Sequence, residues 1–265
     1  MSKLSITSLQ NLVLFFSLFV LASGTPKEKT GKEIYKLVVY HFTDAAQEKM
    51  IDNYLENALI PALHRLKIKN VGVFKSLSND TATAKQVYLF IPMNSLEMLT
   101  KLPEKLQADK IYLAAGNEYI NAVYTAPPYT RMETIILQAF PMAPVMNLPV
   151  LKAAKNERVY ELRSYESATE KIFANKVHMF NEGDEIGLFK KLNFNAVFYS
   201  QVIAGSKMPN LMYMTSFESM ADRDEHWKKF GSDPFWKKLS AMPEYKNNVS
   251  HIDITFLHPA EYSDF

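Results

Sequence analysis

Two rhythms of apolar residues alternate along the chain. Ile34 to Phe42 (IYKLVVYHF) is dense in branched and aromatic residues, the composition of a strand. Met50, Ile51, Tyr54, Leu55, Ala58, Leu59 and Leu63 then recur at helical spacing and predict a helix from Glu48 to Leu66, kinked or restarted at Pro61. Val71 to Leu77 and Gln86 to Ile91 read as strands around a polar turn. Asn94 or Ser95 can cap a helix through Leu106, broken by Pro103, and a strand from Tyr119 to Thr125 stops at Pro127-Pro128. Tyr129 to Asn156 contains the apolar run Thr134 to Phe140 and then Pro141, Pro144 and Pro149, which predicts a strand or extended arm leading into a linker.

From Arg158 the pattern starts again. Val159 to Tyr165 is a strand, Glu170 to Leu192 a helix, Ala196 to Ile203 and Leu211 to Phe217 strands, Ser219 to Leu239 helical, and Val249 to Leu257 a last strand. The halves overlay: Tyr35-Lys36-Leu37 on Tyr160-Glu161-Leu162, Val71 and Val73 on Val197 and Tyr199, Ser95 on Ser219. An internal duplication of about a hundred residues per unit accounts for this. The expected fold is α+β, two tandem ferredoxin-like (β-α-β-β-α-β) units spanning 34–126 and 157–258 with a linker or arm over 127–156.

Face assignment adds the expectation of a barrel. Tyr160, Leu162, Phe198, Met212, Met214, Ile252, Ile254 and Phe256 are assigned to the helices. The opposite set, Glu161, Arg163, Tyr165, Tyr199, Tyr213, His251, Asp253 and Leu257 among them, is too aromatic for a face left in water. Two such antiparallel sheets, packed face to face, give an α+β barrel with a mixed interior, within one chain or across a dimer.

Ser219 to Leu239 is the best-punctuated stretch and holds both tryptophans. Ser219 with Asp222 resembles a capping box, Gly231 ends the first helix, and Asp233-Pro234 starts a second.

Charge removes one class of function. A net formal charge of +2, from 30 basic and 28 acidic residues, supplies no cationic excess for nucleic acid. The absence of cysteine excludes disulfides, thiolate metal sites and a cysteine nucleophile. Lys3, the apolar run Leu12 to Leu21 and the small residues Ala22-Ser23-Gly24 have the form of a signal peptide over 1–24, too short to span a bilayer. An exported, periplasmic or secreted protein with no membrane span in its mature chain is the expectation.

Val159 to Tyr165 (VYELRSY), His178 to Glu185 (HMFNEGDE), Met208-Pro209-Asn210-Leu211 and the Trp227 to Trp236 stretch, in this order, resemble the NIPSNAP family. The resemblance covers essentially all of the second unit and, more weakly, the first. It implies the dimeric α+β barrel superfamily, which also contains small monooxygenases, haem-degrading enzymes and binding proteins, and it implies no agreed chemistry. With the signal peptide, it suggests an exported, bacterial-type member and a homo-oligomer, a homodimer in the simplest case.

Three groups of residues are candidates for chemistry. His178, Glu182 and Glu185 share one helix edge and are weak metal-ligand candidates; a solvated helix face is the plainer alternative. His251, Asp253 and Arg163 are the catalytic candidates, with Arg163 paired to Asp253 and His251 a general base; Glu161, Tyr165, Tyr199 and Tyr213 would line the ligand site. The alternative is that these groups only satisfy one another. Trp227, Phe230 and Trp236 form a packing or assembly interface.

No phosphate loop, nucleophile elbow or zinc-helix motif is present, and no cofactor is expected. The first reading is a protein that binds a small apolar or aromatic ligand, or a partner, in or beside the barrel. The second is a monooxygenase-type enzyme, cofactor-poor or haem-linked through His251, and the third a scaffold filled by its own side chains.

Overall fold

The fold comes from a computed structural model that describes residues 31–265; the expected signal peptide lies outside the described residues. Eight strands close into one antiparallel barrel in the order β1-β3-β2-β8-β5-β7-β6-β4, with β4 pairing back to β1. The strands are β1 Ile34–Phe42, β2 Gly72–Ser76, β3 Lys85–Met93, β4 Arg131–Ala139, β5 Val159–Glu166, β6 Phe198–Ala204, β7 Asn210–Phe217 and β8 His251–Pro259. Each half supplies four contiguous strands, joined at two seams, β2 with β8 and β4 with β6. The barrel therefore closes within a single chain, which leaves no free sheet edge.

Helices cover the outside. In the first half α1 (Ala45–Tyr54) passes through a π-helical turn, Leu55–Leu59, into α2 (Ile60–Arg65). The ladder changes just ahead of Pro61, which sits in the first turn of α2 where its missing N–H costs least. Next come α3 (Leu96–Gln107), α4 (Lys110–Ala115) and α5 (Asn117–Ile120). Pro103 lies inside α3 and does not end it. The second half contributes α6 (Glu170–Asn181), α7 (Glu185–Lys191), α8 (Met220–Ser232) and α9 (Pro234–Ala241). Ser219 Oγ accepts the Asp222 amide at 3.2 Å, and the Asp222 carboxylate accepts the Glu218 amide at 3.1 Å, so the capping exchange expected from the sequence forms one residue early. Asp233 Oδ1 accepts the Phe235 amide at 2.8 Å and starts α9.

Two expectations are corrected. Tyr119 to Thr125 is not a strand: α5 runs through Tyr119, whose ring stacks on Tyr54 at 3.8 Å between centroids. The fourth strand of the first half is β4, paired with β1 from Ile34↔Gln138 to His41↔Arg131, so that half extends beyond residue 126.

The second correction inverts β5, β6 and β7. Tyr160, Leu162, Phe198, Met212 and Met214 fill the barrel with Tyr35, Leu37, Val39, Phe74 and Phe90. Tyr165, Tyr199 and Tyr213 point outward and pack with Phe180, Phe189, Phe194 and Phe230 under the helices. On β8 the expected side holds for Leu257, which is inside, while Ile252 and Ile254 are exposed on the outer face.

One end of the barrel is closed and the other is open. Phe265 packs on Phe74 at 5.4 Å and Tyr160 at 6.1 Å, and Met146 and Leu151, from the segment after β4, pack against the same cluster. At the other end polar side chains ring the mouth.

Candidate functional site

The open end leads into a cavity of about 380 Å³. Its floor is apolar, built by alternate residues of strands from both halves: Leu37 and Val39 on β1, Ile135 on β4, Leu162 on β5, Val202 on β6 and Met212 on β7. One strand position nearer the mouth the inward residues become polar, among them His41, Gln86, Tyr88, Glu133, Ser164, Asn210, Asp253 and Thr255, and Lys207 leans in from the β6–β7 turn. An apolar chamber with a few converging polar groups is the usual form of a small-molecule site.

A hydrogen-bonded chain runs along the first half of this rim. Tyr88 Oη donates to Gln86 Oε1 at 2.8 Å, which turns the Gln86 amide nitrogen toward His41 Nδ1 at 3.5 Å. His41 Nε2 lies 3.0 Å from Glu133 Oε1. With Nε2–H donating to the carboxylate, Nδ1 is the ring acceptor. Burial pushes the Tyr88 phenol up to about 12, and the Glu133 and Asp253 carboxylates add to this, so it is a donor at neutral pH.

The second half of the rim holds a matching pair. His251 Nε2 lies 3.0 Å from Asp253 Oδ1, and Lys207 bonds the other oxygen of Asp253. Lys207 and then His251 hold the Asp253 carboxyl below its usual range, and Asp253 in turn raises Lys207. This pair is the wetter one, with side chains 57% and 39% exposed against 20% and 28% for His41 and Glu133. Glu166, His251 and Asp253 also bring three potential metal-ligand atoms within 4.8 Å of one another, with Lys207 already on Asp253.

Asn210 adds an unsatisfied acceptor. Its Nδ2 donates to Ser164 Oγ at 2.7 Å, while Oδ1, buried on the cavity wall, has no hydrogen-bond partner among the described residues. A buried carbonyl oxygen without a donor is costly unless a ligand supplies one.

The residues expected to serve the site divide between two faces. His251 and Asp253 do pair, at the mouth. Arg163 does not reach Asp253; its Nε bonds Glu161 and its Nη1 donates to Tyr165 Oη at 2.9 Å, behind the barrel wall. Glu161, Tyr165, Tyr199 and Tyr213 lie on that outer side with it. His178 bonds Tyr245 Oη at 2.9 Å, Glu182 is exposed, and Glu185 turns inward to Lys176 at 2.9 Å, so the three do not converge. Trp227, Phe230 and Trp236 pack on the chain's own core, with Trp227 5.0 Å from Phe194 and Trp236 4.6 Å from Phe230. His251, the haem-ligand candidate, has its Nε2 held by Asp253 at the exposed rim, which does not fit it to hold haem iron.

Sequence reasoning does not single out His41, Glu133 or Tyr88, and it has Asn210 only within the Met208-Pro209-Asn210-Leu211 motif. His41 and Glu133 are 92 residues apart and meet only because β1 and β4 are neighbours. The available signal was the repeat: His41 on β1 occupies the place of Glu166 on β5, and the Arg131-x-Glu133 end of β4 that of His251-x-Asp253 on β8.

Residues 160–264 match the NIPSNAP family. A NIPSNAP family protein from Agrobacterium tumefaciens is 18% identical, with 45% of this chain and 97% of that chain covered and a TM-score of 0.37. Over a greater length the barrel is similar to two proteins provisionally named monooxygenases. One, from Fusobacterium nucleatum, is 5% identical, with 86% of this chain and 93% of that chain covered and a TM-score of 0.56. The other, from Lactobacillus acidophilus, is 13% identical, with 86% and 94% covered and a TM-score of 0.55. These similarities concern the fold. No curated protein matches the chain. Among the described residues no helix is long and apolar enough to cross a membrane.

Proposed function

We propose that the barrel cavity takes up a small, hydroxylated, electron-rich aromatic compound and acts on it as a monooxygenase-type enzyme. The observation that carries this reading is the His41–Glu133 pair on the wall of an apolar chamber, with its Nδ1 lone pair on the side away from the carboxylate. The provisional monooxygenase names of the two barrels of similar fold support it as analogy. Asn210 Oδ1 supports a hydroxylated ligand, since it offers an unpaired acceptor for one hydroxyl above the apolar floor. The matching strand orders of the halves, β4-β1-β3-β2 and β8-β5-β7-β6, support tandem ferredoxin-like units that place the chamber where the two sheets face each other.

In the proposed reaction the substrate supplies the electrons. His41 Nδ1, once released from its 3.5 Å contact with the Gln86 amide, accepts a proton from an activated methylene flanked by aromatic rings, and Glu133 stabilises the imidazolium formed. The electron-rich carbon reduces dioxygen and forms a hydroperoxide on that carbon. Loss of water leaves a carbonyl, so one oxygen atom enters the product and the other leaves as water. Tyr88, a phenol that stays protonated, can turn its O–H from Gln86 to the developing negative charge.

Oxygen uptake with a hydroxyanthrone tests this directly. Purified protein should accelerate consumption, and His41→Ala should lower the rate by about 10²–10⁴-fold, the range for loss of a general base. An unchanged rate in His41→Ala would remove the proposed role.

A further inference from the structure

The residues of the NIPSNAP-matching half that the barrel chemistry does not use gather around a second cavity. It has a volume of about 360 Å³ and lies behind the wall, between the outer face of β5, β7 and β8 and the helices α6 to α9. Tyr165 and Tyr213 form part of its floor, and Trp227, Phe230 and Trp236 its aromatic wall.

The charges beside this cavity do not cancel. Lys176 Nζ and Glu185 Oε2, both buried, neutralise each other at 2.9 Å. Glu161, fully buried, is shared: Arg163 bonds it through Nε, Arg223 through Nε at 2.8 Å and Nη2 at 3.0 Å, and Trp227 through Nε1 at 2.8 Å. Three cations, Lys176, Arg163 and Arg223, thus face two buried carboxylates. The remaining partner of Arg223, Asp224, is 65% exposed and screened by water. Two cations line the cavity, Lys176, which is paired with Glu185, and Arg163. Its guanidinium lies 3.7 Å from the centre of the Trp227 ring, which fixes the plane of the fork, and Nη2 takes part in neither of its bonds to Glu161 and Tyr165.

We infer that this cavity binds a monocarboxylate with an aromatic or apolar body. The carboxylate would sit on Arg163, whose planar fork matches it, and the body between the aromatic side chains. Ile252, 45% exposed, stands at the entrance. This site is separate from the barrel chamber and does not rest on the proposed oxygenase chemistry.

The chain's two tryptophans both line the cavity, so their emission reports its occupancy. The full chain is titrated with phenylacetate and with neutral phenylacetamide, following tryptophan fluorescence and calorimetric heat. Phenylacetate is expected to bind saturably, and the amide about tenfold more weakly or worse, the loss expected for one charge-assisted pair. Ile252→Tyr, which narrows the entrance at an exposed position, should weaken phenylacetate binding at least as much. Arg163→Lys keeps the charge opposite Glu161 but loses the fork, and should reduce the preference for acid over amide. No saturable response to phenylacetate, equal affinity for acid and amide, or unchanged binding in Ile252→Tyr would each overturn the inference.

Discussion

Arg163 and Asp253 stand on neighbouring strands yet on opposite faces of the sheet: Ser164 is the cross-strand partner of Asp253, and Ile254 that of Arg163. One residue of register separates a buried charge cluster behind the wall from a wet ion pair at the cavity mouth. The two should respond very differently to substitution.

Glu161→Gln leaves Arg163 and Arg223 without their shared carboxylate. Removing one partner of a buried pair costs about 3–5 kcal/mol, so urea denaturation should show a loss of that size, with a large fall in thermal midpoint.

Asp253→Asn breaks the bonds to Lys207 and His251 at exposed positions. The expected change in stability is within about 1 kcal/mol, measured by the same denaturation.

Acid should separate these roles as well. Burial raises the Glu161 carboxyl, but Arg223, Arg163 and Trp227 outweigh it and hold it below the usual range. A carboxyl whose folded pKa is depressed contributes stability that is present above its unfolded value, about 4.3, and lost as pH falls through the folded value. Urea midpoints measured from pH 6 down to pH 2 should fall more steeply below about pH 4 in the parent chain than in Glu161→Gln, which lacks this term.

Phe198 stacks on Phe90 at 4.9 Å inside the barrel and packs against Tyr35 at 5.4 Å. Phe198→Ala should cost about 3–5 kcal/mol, because a closed barrel cannot collapse onto the space left. Calorimetry of unfolding checks the loss.

These contrasts show what the sequence could reveal. The α+β class, most elements and the barrel were legible because strand and helix periods differ. The facing of β5 was not. Every residue from Val159 to Tyr165 is buried, so both sides of the strand look like core, and alternation gives a period without a sign. The sign lay in a long-range pairing, Glu161 with Arg223 and Trp227 one helical turn apart on α8. Tyr119 to Thr125 misled for a related reason: its branched and aromatic residues suit a strand, but Tyr119 is needed beside Tyr40, Tyr54 and Tyr129 in the helical layer. His41 carried no local motif, and its role depends on a residue brought in by β4.

The most direct measurement of the central claim is mass spectrometry of the product formed from a hydroxyanthrone under ¹⁸O₂ in unlabelled water. The His41–Glu133 mechanism predicts one labelled oxygen per product molecule, in the newly formed carbonyl, at a rate that falls in Glu133→Gln. Product carbonyl oxygen derived from water, or hydrogen peroxide formed in place of labelled product, would contradict it.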